Sequence, residues 1–116
     1  MSTLKADLIS NDTTWILKLN GNIDSTTSHL MWGFSDSTKL LNALLEANIH
    51  HLVIDLSEVD NIDSHALRLM LNAYKEFTVK KVGIELHKPR PHLRRLLRIM
   101  QFDRLFTVND NFVVQR

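Results

Sequence analysis

The stretch that decides the fold is His51-Leu-Val-Ile-Asp-Leu56, followed by Ser57-Glu-Val-Asp-Asn-Ile62 and then Asp63-Ser64-His65-Ala66. Its first part is a nearly continuous apolar run, which is typical of a strand at the centre of a sheet that is covered on both faces. From Ser64 onward the apolar residues recur at helical spacing, on a face formed by Leu67, Met70, Leu71, Tyr74 and Phe77. The sequence therefore predicts a buried strand that leads through a loop into a helix beginning near Ser64.

Ser64 is placed where the strand leads into the N-terminus of this helix. Unpaired backbone N–H groups and the helix dipole both favour negative charge at such a position. A hydroxyl there either caps the helix, which typically contributes about 1 kcal/mol, or is a site of chemical modification. The two roles are compatible, because a capping residue already lies at the anion site.

Two strands are predicted before this stretch. Apolar residues alternate with polar ones over residues 4–8 and again over residues 14–19, and Gly21 is predicted to end the second strand. Asp24 and the two hydroxyl residues after it offer N-cap groups for the turn or helix that follows.

A helix is predicted to begin at Ser35-Asp36, with an apolar face formed by Leu40, Leu41, Leu44 and Leu45. Residues 28–34 are predicted to form a short extra turn or helix. Trp32 and Phe34 in that segment are expected to lie in the core or to cover it as a lid.

The remaining residues predict three further elements. Val82, Ile84 and Leu86 alternate as a fourth strand, and Pro91 suits the first turn of a helix. That helix is predicted to point four residues inward, Leu93, Leu96, Leu97 and Met100. A last strand is predicted at residues 105–108 and a docked tail at residues 112–114.

These elements follow the order β-β-α-β-α-β-α-β. Strands that alternate with helices predict an α/β fold, with a mixed, mostly parallel sheet of about four to five strands packed by amphipathic helices. At 116 residues the chain is expected to form a single domain, residues 1–116. It contains no cysteine, which excludes disulfides, thiol catalysis and cysteine-ligated metals. No signal sequence or membrane-spanning run is recognised, so a cytoplasmic protein without membrane insertion is expected.

Charge is distributed unevenly along the chain. Residues 1–63 carry 3 Lys/Arg and 9 Asp/Glu, a net −6, whereas residues 64–116 carry 11 and 4, a net +7. Most of this excess lies in seven basic residues, Lys80, Lys81, Lys88, Arg90, Arg94, Arg95 and Arg98. Such a cluster, with the basic helix at 91–101 at its end, is typical of a solvated face, a nucleic-acid surface or a docking surface for an acidic partner. Since no helix-turn-helix or aromatic stacking platform accompanies it, direct nucleic-acid binding is not expected.

Three kinds of chemistry are disfavoured by the residue spacing. The adjacent Asp63, Ser64 and His65 do not form a hydrolytic triad, because neighbours on a helix project about 100° apart. The six histidines show no ligand pair at helical spacing, so no metal site is expected. The chain also lacks a phosphate-binding loop, so any ATP must be bound by a partner.

The chain resembles the STAS domain family over about residues 12–108. Gly21-Asn-Ile-Asp24 matches the family's Gly-x-Leu-Asp, and Val53-Ile-Asp-Leu56 followed by Asp63-Ser64 matches its strand and Asp-Ser-Ser-Gly segment. Leu93-Arg-Arg-Leu-Leu97 with Phe102 and Leu105-Phe106 resembles the third helix and closing strand. This sequence differs from the family pattern at His65, which replaces a second serine, and at Ala66, which replaces glycine. It is also several residues longer at 28–37.

The resemblance implies that the protein is an anti-sigma factor antagonist, a partner-switching regulator with no cofactor and no catalysis of its own. Ser64 corresponds to the serine phosphorylated by a partner that is both an anti-sigma factor and a serine kinase of the ATP-binding histidine-kinase-like type. The unphosphorylated form captures that partner, and a metal-dependent serine phosphatase reverses the modification. The partner-binding residues implied are Asp24, Asp63, Ser64 and His65. The alternative is a STAS accessory subunit of a transporter or signalling scaffold, in which Ser64 is structural.

Overall fold

The structure is a computed structural model that describes residues 4–104 and 106–109. Its helices and strands follow the predicted order. The helices and strands are β1 (Leu4–Ser10), β2 (Trp15–Ile23), α1 (Ser37–Glu46), β3 (His51–Ile62), α2 (Ser64–Val79), β4 (Gly83–His87), α3 (Pro91–Ile99) and β5 (Thr107–Asn109). Two short 3-10 helices lie at Ser28–Leu30 and Phe102–Arg104. The tail predicted at residues 112–114 lies outside the described residues.

The strands form one five-stranded sheet in the order β1-β2-β3-β4-β5. β1 is antiparallel to β2, and every other neighbouring pair is parallel. The predicted mixed, mostly parallel α/β sheet is therefore confirmed. Because the carboxyl ends of parallel strands meet at one edge of a sheet, the residues that follow β2 and β3 are brought together.

Both of these strands are longer than predicted. β2 continues past Gly21 to Ile23, and the predicted loop at 57–62 is the second half of β3. Gly21 has φ +125°, and the register between the two strands shifts beside it. Glycine adopts this conformation at little cost, so the strand bends there and continues.

The core lies between one face of the sheet and the helices. The predicted apolar faces of α1 and α2 are buried against the alternating strand residues, and the largest fully buried side chains include Leu17, Leu19, Leu40, Leu41, Leu44, Leu52, Ile54, Leu56, Met70 and Phe77. Trp32 belongs to this core, whereas Phe34 is exposed. The prediction for Met100 is wrong. It is the C-cap of α3, and it is exposed because the helix ends before that position returns to the inner face.

β4 also buries two polar residues that its alternating pattern did not reveal. The Glu85 carboxylate lies between two imidazoles, with Oε1 at 3.0 Å from His51 Nε2 and Oε2 at 2.9 Å from His87 Nε2. Glu85 and His87 are both buried, as is Asp55 beside them on β3. The sheet centre is thus covered on both faces, as the continuous apolar run of β3 predicts.

Candidate functional site

The site is built where β2 and β3 end side by side. The last residues of the two strands, Ile23 and Ile62, are register partners. The backbone N–H of Asp63 donates a hydrogen bond to the carbonyl of Ile23 at 3.0 Å. The parallel pairing therefore places the two carboxylate residues that follow, Asp24 and Asp63, at the same edge of the sheet.

Asp63 joins the two strand exits through its side chain. Its Oδ1 accepts a hydrogen bond from the backbone N–H of Ala66 at 2.9 Å, and its Oδ2 accepts one from the N–H of Ser25 at 3.2 Å. The first contact makes Asp63 the N-cap of α2. Ser64 is therefore the first residue of the helix, and the capping role considered for it belongs to its neighbour.

Asp24 organises the turn that leaves β2. Its Oδ1 accepts hydrogen bonds from the N–H and the hydroxyl of Thr26, at 2.9 and 2.6 Å, and from the N–H of Thr27 at 3.2 Å. The N–H of Asp24 in turn donates to Thr27 Oγ1 at 3.0 Å, and that hydroxyl donates to the carbonyl of Asn22 at 2.7 Å. This closed network holds the turn in one conformation, with Ser25 and Thr26 exposed.

The hydrogen bonds around Asp24 change its acidity. The Thr26 hydroxyl, followed by the Thr26 N–H, stabilises the charged carboxylate and lowers the pKa of Asp24 below its ordinary value. Because the folded chain then holds this proton less strongly than the unfolded chain, ionised Asp24 stabilises the fold above the unfolded pKa. That contribution is lost as the pH falls through the folded pKa.

We predict that Asp24→Asn flattens the acid side of the stability profile. In urea denaturation between about pH 2.5 and 6, the free energy of unfolding of the variant is expected to change less with pH than that of the parent chain. Thr26→Val, which removes the hydroxyl donor and keeps the carboxylate, should flatten the profile to a smaller extent. Identical profiles for Asp24→Asn and the parent chain would contradict the role of Asp24.

The structure brings together the four predicted partner-binding residues at one exposed surface. Ser64 and His65 are exposed on the first turn of α2, beside the half-buried Asp63. The hydrogen bond from Ser25 to Asp63 ties the Asp24 turn to the same place. We call this surface, formed by residues 24–26 and 63–65, the Ser64 surface.

A groove that sequence reasoning missed adjoins the Ser64 surface. It has a volume of about 380 Å³ and lies between His65, Leu69 and Asn72 of α2 and the segment that leads into α1, with Trp32 in its wall and Asp36 at its rim. One wall of the groove comes from the extra residues at 28–37, and the other comes from α2. The unusual length of this segment and its tryptophan were the signals in the sequence that could have pointed to a groove. The position of the segment beside α2, however, depends on the tertiary fold.

The charged helix α3 forms a second groove, of about 460 Å³, lined by Lys88, Arg94, Arg95 and Arg98 with two prolines. The predicted outward orientation of its arginines agrees with the exposure of Arg95 and Arg98. In the part of the chain that the structure describes, no three His, Asp or Glu side chains are arranged to hold a metal ion. Within the same residues, no helix is long and apolar enough to cross a membrane.

The order of elements and the arrangement of the sheet are those of an α/β domain of the STAS type. The STAS domain model matches residues 5–113 of the chain. This chain therefore belongs to the STAS domain family, as the sequence resemblance implied.

Solved structures of anti-sigma factor antagonists have the same fold. The antagonist from Mycobacterium paratuberculosis is 21% identical, with a TM-score of 0.75 over 94% of this chain and 87% of that one. Unphosphorylated SpoIIAA, also an anti-sigma factor antagonist, is 15% identical, with a TM-score of 0.69 over 89% and 86% of the two chains. The Bacillus cell fate determinant SpoIIAA in its phosphorylated form is 15% identical, with a TM-score of 0.64 over 89% of both chains.

Proposed function

We propose that this protein is an anti-sigma factor antagonist whose binding surface is switched off by phosphorylation of Ser64. The unphosphorylated chain captures an anti-sigma factor that is also a serine kinase, and a metal-dependent phosphatase restores the capturing form. The protein itself binds and does not catalyse. The observation that carries this proposal is that Ser64 lies exposed at the start of α2 while Asp63 supplies the helix cap.

The position of Ser64 supports modification without unfolding. A phosphate adds about −1.5 to −2 charges and three strong acceptor oxygens. At a helix N-terminus each negative charge is stabilised by roughly 0.3–1 kcal/mol. The adjacent Asp63 carboxylate opposes the phosphate, but its two oxygens already accept hydrogen bonds from backbone N–H groups. These local contributions are comparable and of opposite sign, so phosphorylation is expected to change the fold little.

The large effect of phosphorylation falls on the bound partner. A protein surface that fits against the small Ser64 hydroxyl would have to desolvate a dianion once that hydroxyl is phosphorylated. An unpaired charge buried in an interface costs several kcal/mol. The Bacillus SpoIIAA chain has this fold in a phosphorylated form, which supports the proposed modification of the present chain.

The surroundings of Ser64 suit a protein partner. His65, Ser25 and Thr26 are exposed beside it, and the adjoining groove offers the half-buried Leu69 side chain among polar residues such as Ser28, Asp36 and Asn72. An apolar centre with a polar rim is the usual composition of a specific interface. We expect His65 to contribute to the choice of partner, since it lies on both the groove and the Ser64 surface.

The modification is tested by intact mass. The purified chain is incubated with ATP and each serine kinase of the histidine-kinase-like type from the source organism, and its mass is expected to rise by one phosphate group. Ser64→Ala should remain unmodified, whereas Ser10→Ala, which removes an exposed hydroxyl at the opposite end of the sheet, should be modified as the parent chain is. Addition of phosphate to Ser64→Ala would place the modification elsewhere and overturn the assignment.

The alternative, an accessory subunit of a transporter or scaffold, makes a different prediction. Ser64 would then be structural, no kinase would modify it, and the partner would bind equally well to Ser64→Ala and Ser64→Asp. Co-purification with a transporter ATPase, with equal recovery of the two variants, would replace the antagonist proposal by this one.

A further inference from the structure

The strand β1 is the first strand in the sheet order. Within residues 4–104 and 106–109 its single strand neighbour is β2, so its other side has no strand partner among these residues. Leu4, Ala6 and Leu8 point to the helix side of the sheet and pack against the core, whereas Lys5 and Asp7 are exposed on the opposite side. Exposed strand edges are templates for pairing with a further strand.

An apolar groove of about 490 Å³ runs beside this edge. It is lined on one side by Leu4 and Ala6 of β1 and on the other by Leu30 and Phe34. Leu30 and Phe34 are 42% and 37% exposed, and both line this groove, so together they present apolar surface to solvent. The open strand edge and the groove form one continuous surface on the helix side of β1.

We propose that this surface binds a second copy of the chain, through antiparallel pairing of β1 with β1 about a two-fold axis perpendicular to the sheet. Such an axis keeps the helices of both copies on the same side, so that residues opposite each other must come from the same face of their strands. Within β1, the residues on the same face as Lys5 are Lys5 itself, Asp7 and Ile9, so Lys5 can lie opposite only one of these three in the second copy. The residues between them lie on the other face of the strand and are excluded.

The charges of β1 select one of these registers. Centring the axis on Lys5 or on Asp7 would set like charges directly opposite each other, which is destabilising. Centring it on Ala6 places Lys5 opposite Asp7 twice, once on each side of the axis. The register centred on Ala6 also brings together the two Ala6 side chains, which are small enough to meet at the axis. In addition, it places Leu8 of the second copy opposite Leu4, beside the groove that Leu30 and Phe34 line.

The interface is expected to be weak. β1 is seven residues long, and a single short strand pair buries less than the roughly 800 Å² per partner of a standard interface. We therefore expect a dissociation constant on the order of 100 µM. The inference does not depend on phosphorylation, so Ser64→Asp should dimerise as the parent chain does.

A cysteine at the axis tests the register directly, since the chain has no cysteine of its own. Directly opposed residues of antiparallel strands have Cα atoms about 4.5–5.5 Å apart, which is within the range of a disulfide, about 4.4–6.8 Å. Mild oxidation of Ala6→Cys is therefore expected to give a covalent dimer. In the same register the two copies of Ser10→Cys lie about 27 Å apart along the strands, and this control should stay monomeric. Absence of the Ala6→Cys dimer, or equal cross-linking of the two variants, would overturn the proposal.

Charge exchange tests the same register without a cross-link. Lys5→Glu and Asp7→Lys each set like charges opposite each other, and each is expected to weaken the dimer about tenfold or more in sedimentation equilibrium. The double variant Lys5→Glu/Asp7→Lys restores both pairs and should restore dimerisation. Thermal unfolding verifies that the variants are folded, since Asp7 is also the register partner of Lys18 within the monomer. A parent chain that stays monomeric, or a folded double variant that does not recover, would contradict the inference.

Discussion

Ser64→Asp is expected to fold as the parent chain does and to lose about 100-fold or more of its affinity for the anti-sigma factor kinase. The carboxylate stands for the phosphate at the first residue of α2, where the partner must cover it. Burial of one charge without a counter-ion costs several kcal/mol, and about 2.7 kcal/mol corresponds to a 100-fold change in affinity. Titration calorimetry of the partner with both chains measures the loss.

Two matched variants separate charge from size in this experiment. Ser64→Ala lacks the hydroxyl and cannot be phosphorylated, so it should bind the partner constitutively. Ser64→Asn has the shape of the aspartate without its charge, and it is expected to lose much less affinity than Ser64→Asp. If Asn and Asp weakened binding equally, steric exclusion rather than charge would control the partner, and the proposed electrostatic switch would be wrong.

Asp63→Ala is expected to lower the free energy of unfolding by about 2 kcal/mol. About 1 kcal/mol comes from the lost N-cap of α2, and about 1 kcal/mol from the lost acceptor for the Ser25 N–H. The same change releases the turn after β2 from the start of α2, so that the Ser64 surface loses its fixed arrangement. Urea denaturation followed by circular dichroism measures the first effect, and partner titration measures the second.

Asp63→Asn distinguishes the two contributions. The asparagine side chain is as good an N-cap as aspartate, and its carbonyl oxygen can accept from Ala66 N–H. Its amide nitrogen is a donor, however, and cannot replace the oxygen that accepts from Ser25. We therefore expect Asn to cost about half as much stability as Ala. Equal costs for the two variants would show that the N-cap bond from Ala66 contributes no stability, and an Asn variant as stable as the parent chain would show the same for the hydrogen bond from Ser25.

Substitutions of Ser64 and of Asp63 are expected to affect the free energy of unfolding and the partner affinity differently. Ser64 lies at the surface and makes no capping contact, so its substitution should change the partner affinity and leave the unfolding transition in place. Asp63 connects two strand exits, so its substitution should change both. Measuring stability and partner affinity for variants of both residues therefore separates the proposed role of Ser64 in binding from the structural role of Asp63.

The order of the elements could be read from local pattern because each pattern carries its own period. Alternation of apolar residues predicts strands, and the helical spacing in α1, α2 and α3 predicts helices. Both predictions are independent of the tertiary contacts of the segment. The central position of β3 followed in the same way from its continuous apolar run. The chain order and the apolar faces of α1 and α2 were therefore confirmed. The ends of β2, β3 and α3 were not, and Met100 is exposed for that reason, because a strand end or a helix end depends on its neighbour.

In the candidate site, too, local sequence pattern predicted some features, and others depended on the tertiary structure. The sequence predicted that Ser64 begins a helix after a buried strand, but aspartate and serine are equally good caps, so local preference could not assign the cap between Asp63 and Ser64. Likewise, the alternating pattern of β4 gave no sign that its Glu85 and His87 would be buried beside His51, which lies on another strand.

By itself, the sequence determined the α/β order, the family resemblance and the residue at which a switch is expected, because these depend on residue type and spacing along the chain. Only the tertiary structure decided that Asp63 is the N-cap of α2 and binds the Ser25 N–H, that residues 28–37 line a groove beside α2, and that β1 is an edge strand among the described residues. Each of these depends on which distant segments become neighbours. Which segments become neighbours is determined by the pairing of β2 with β3 and by burial of the common core.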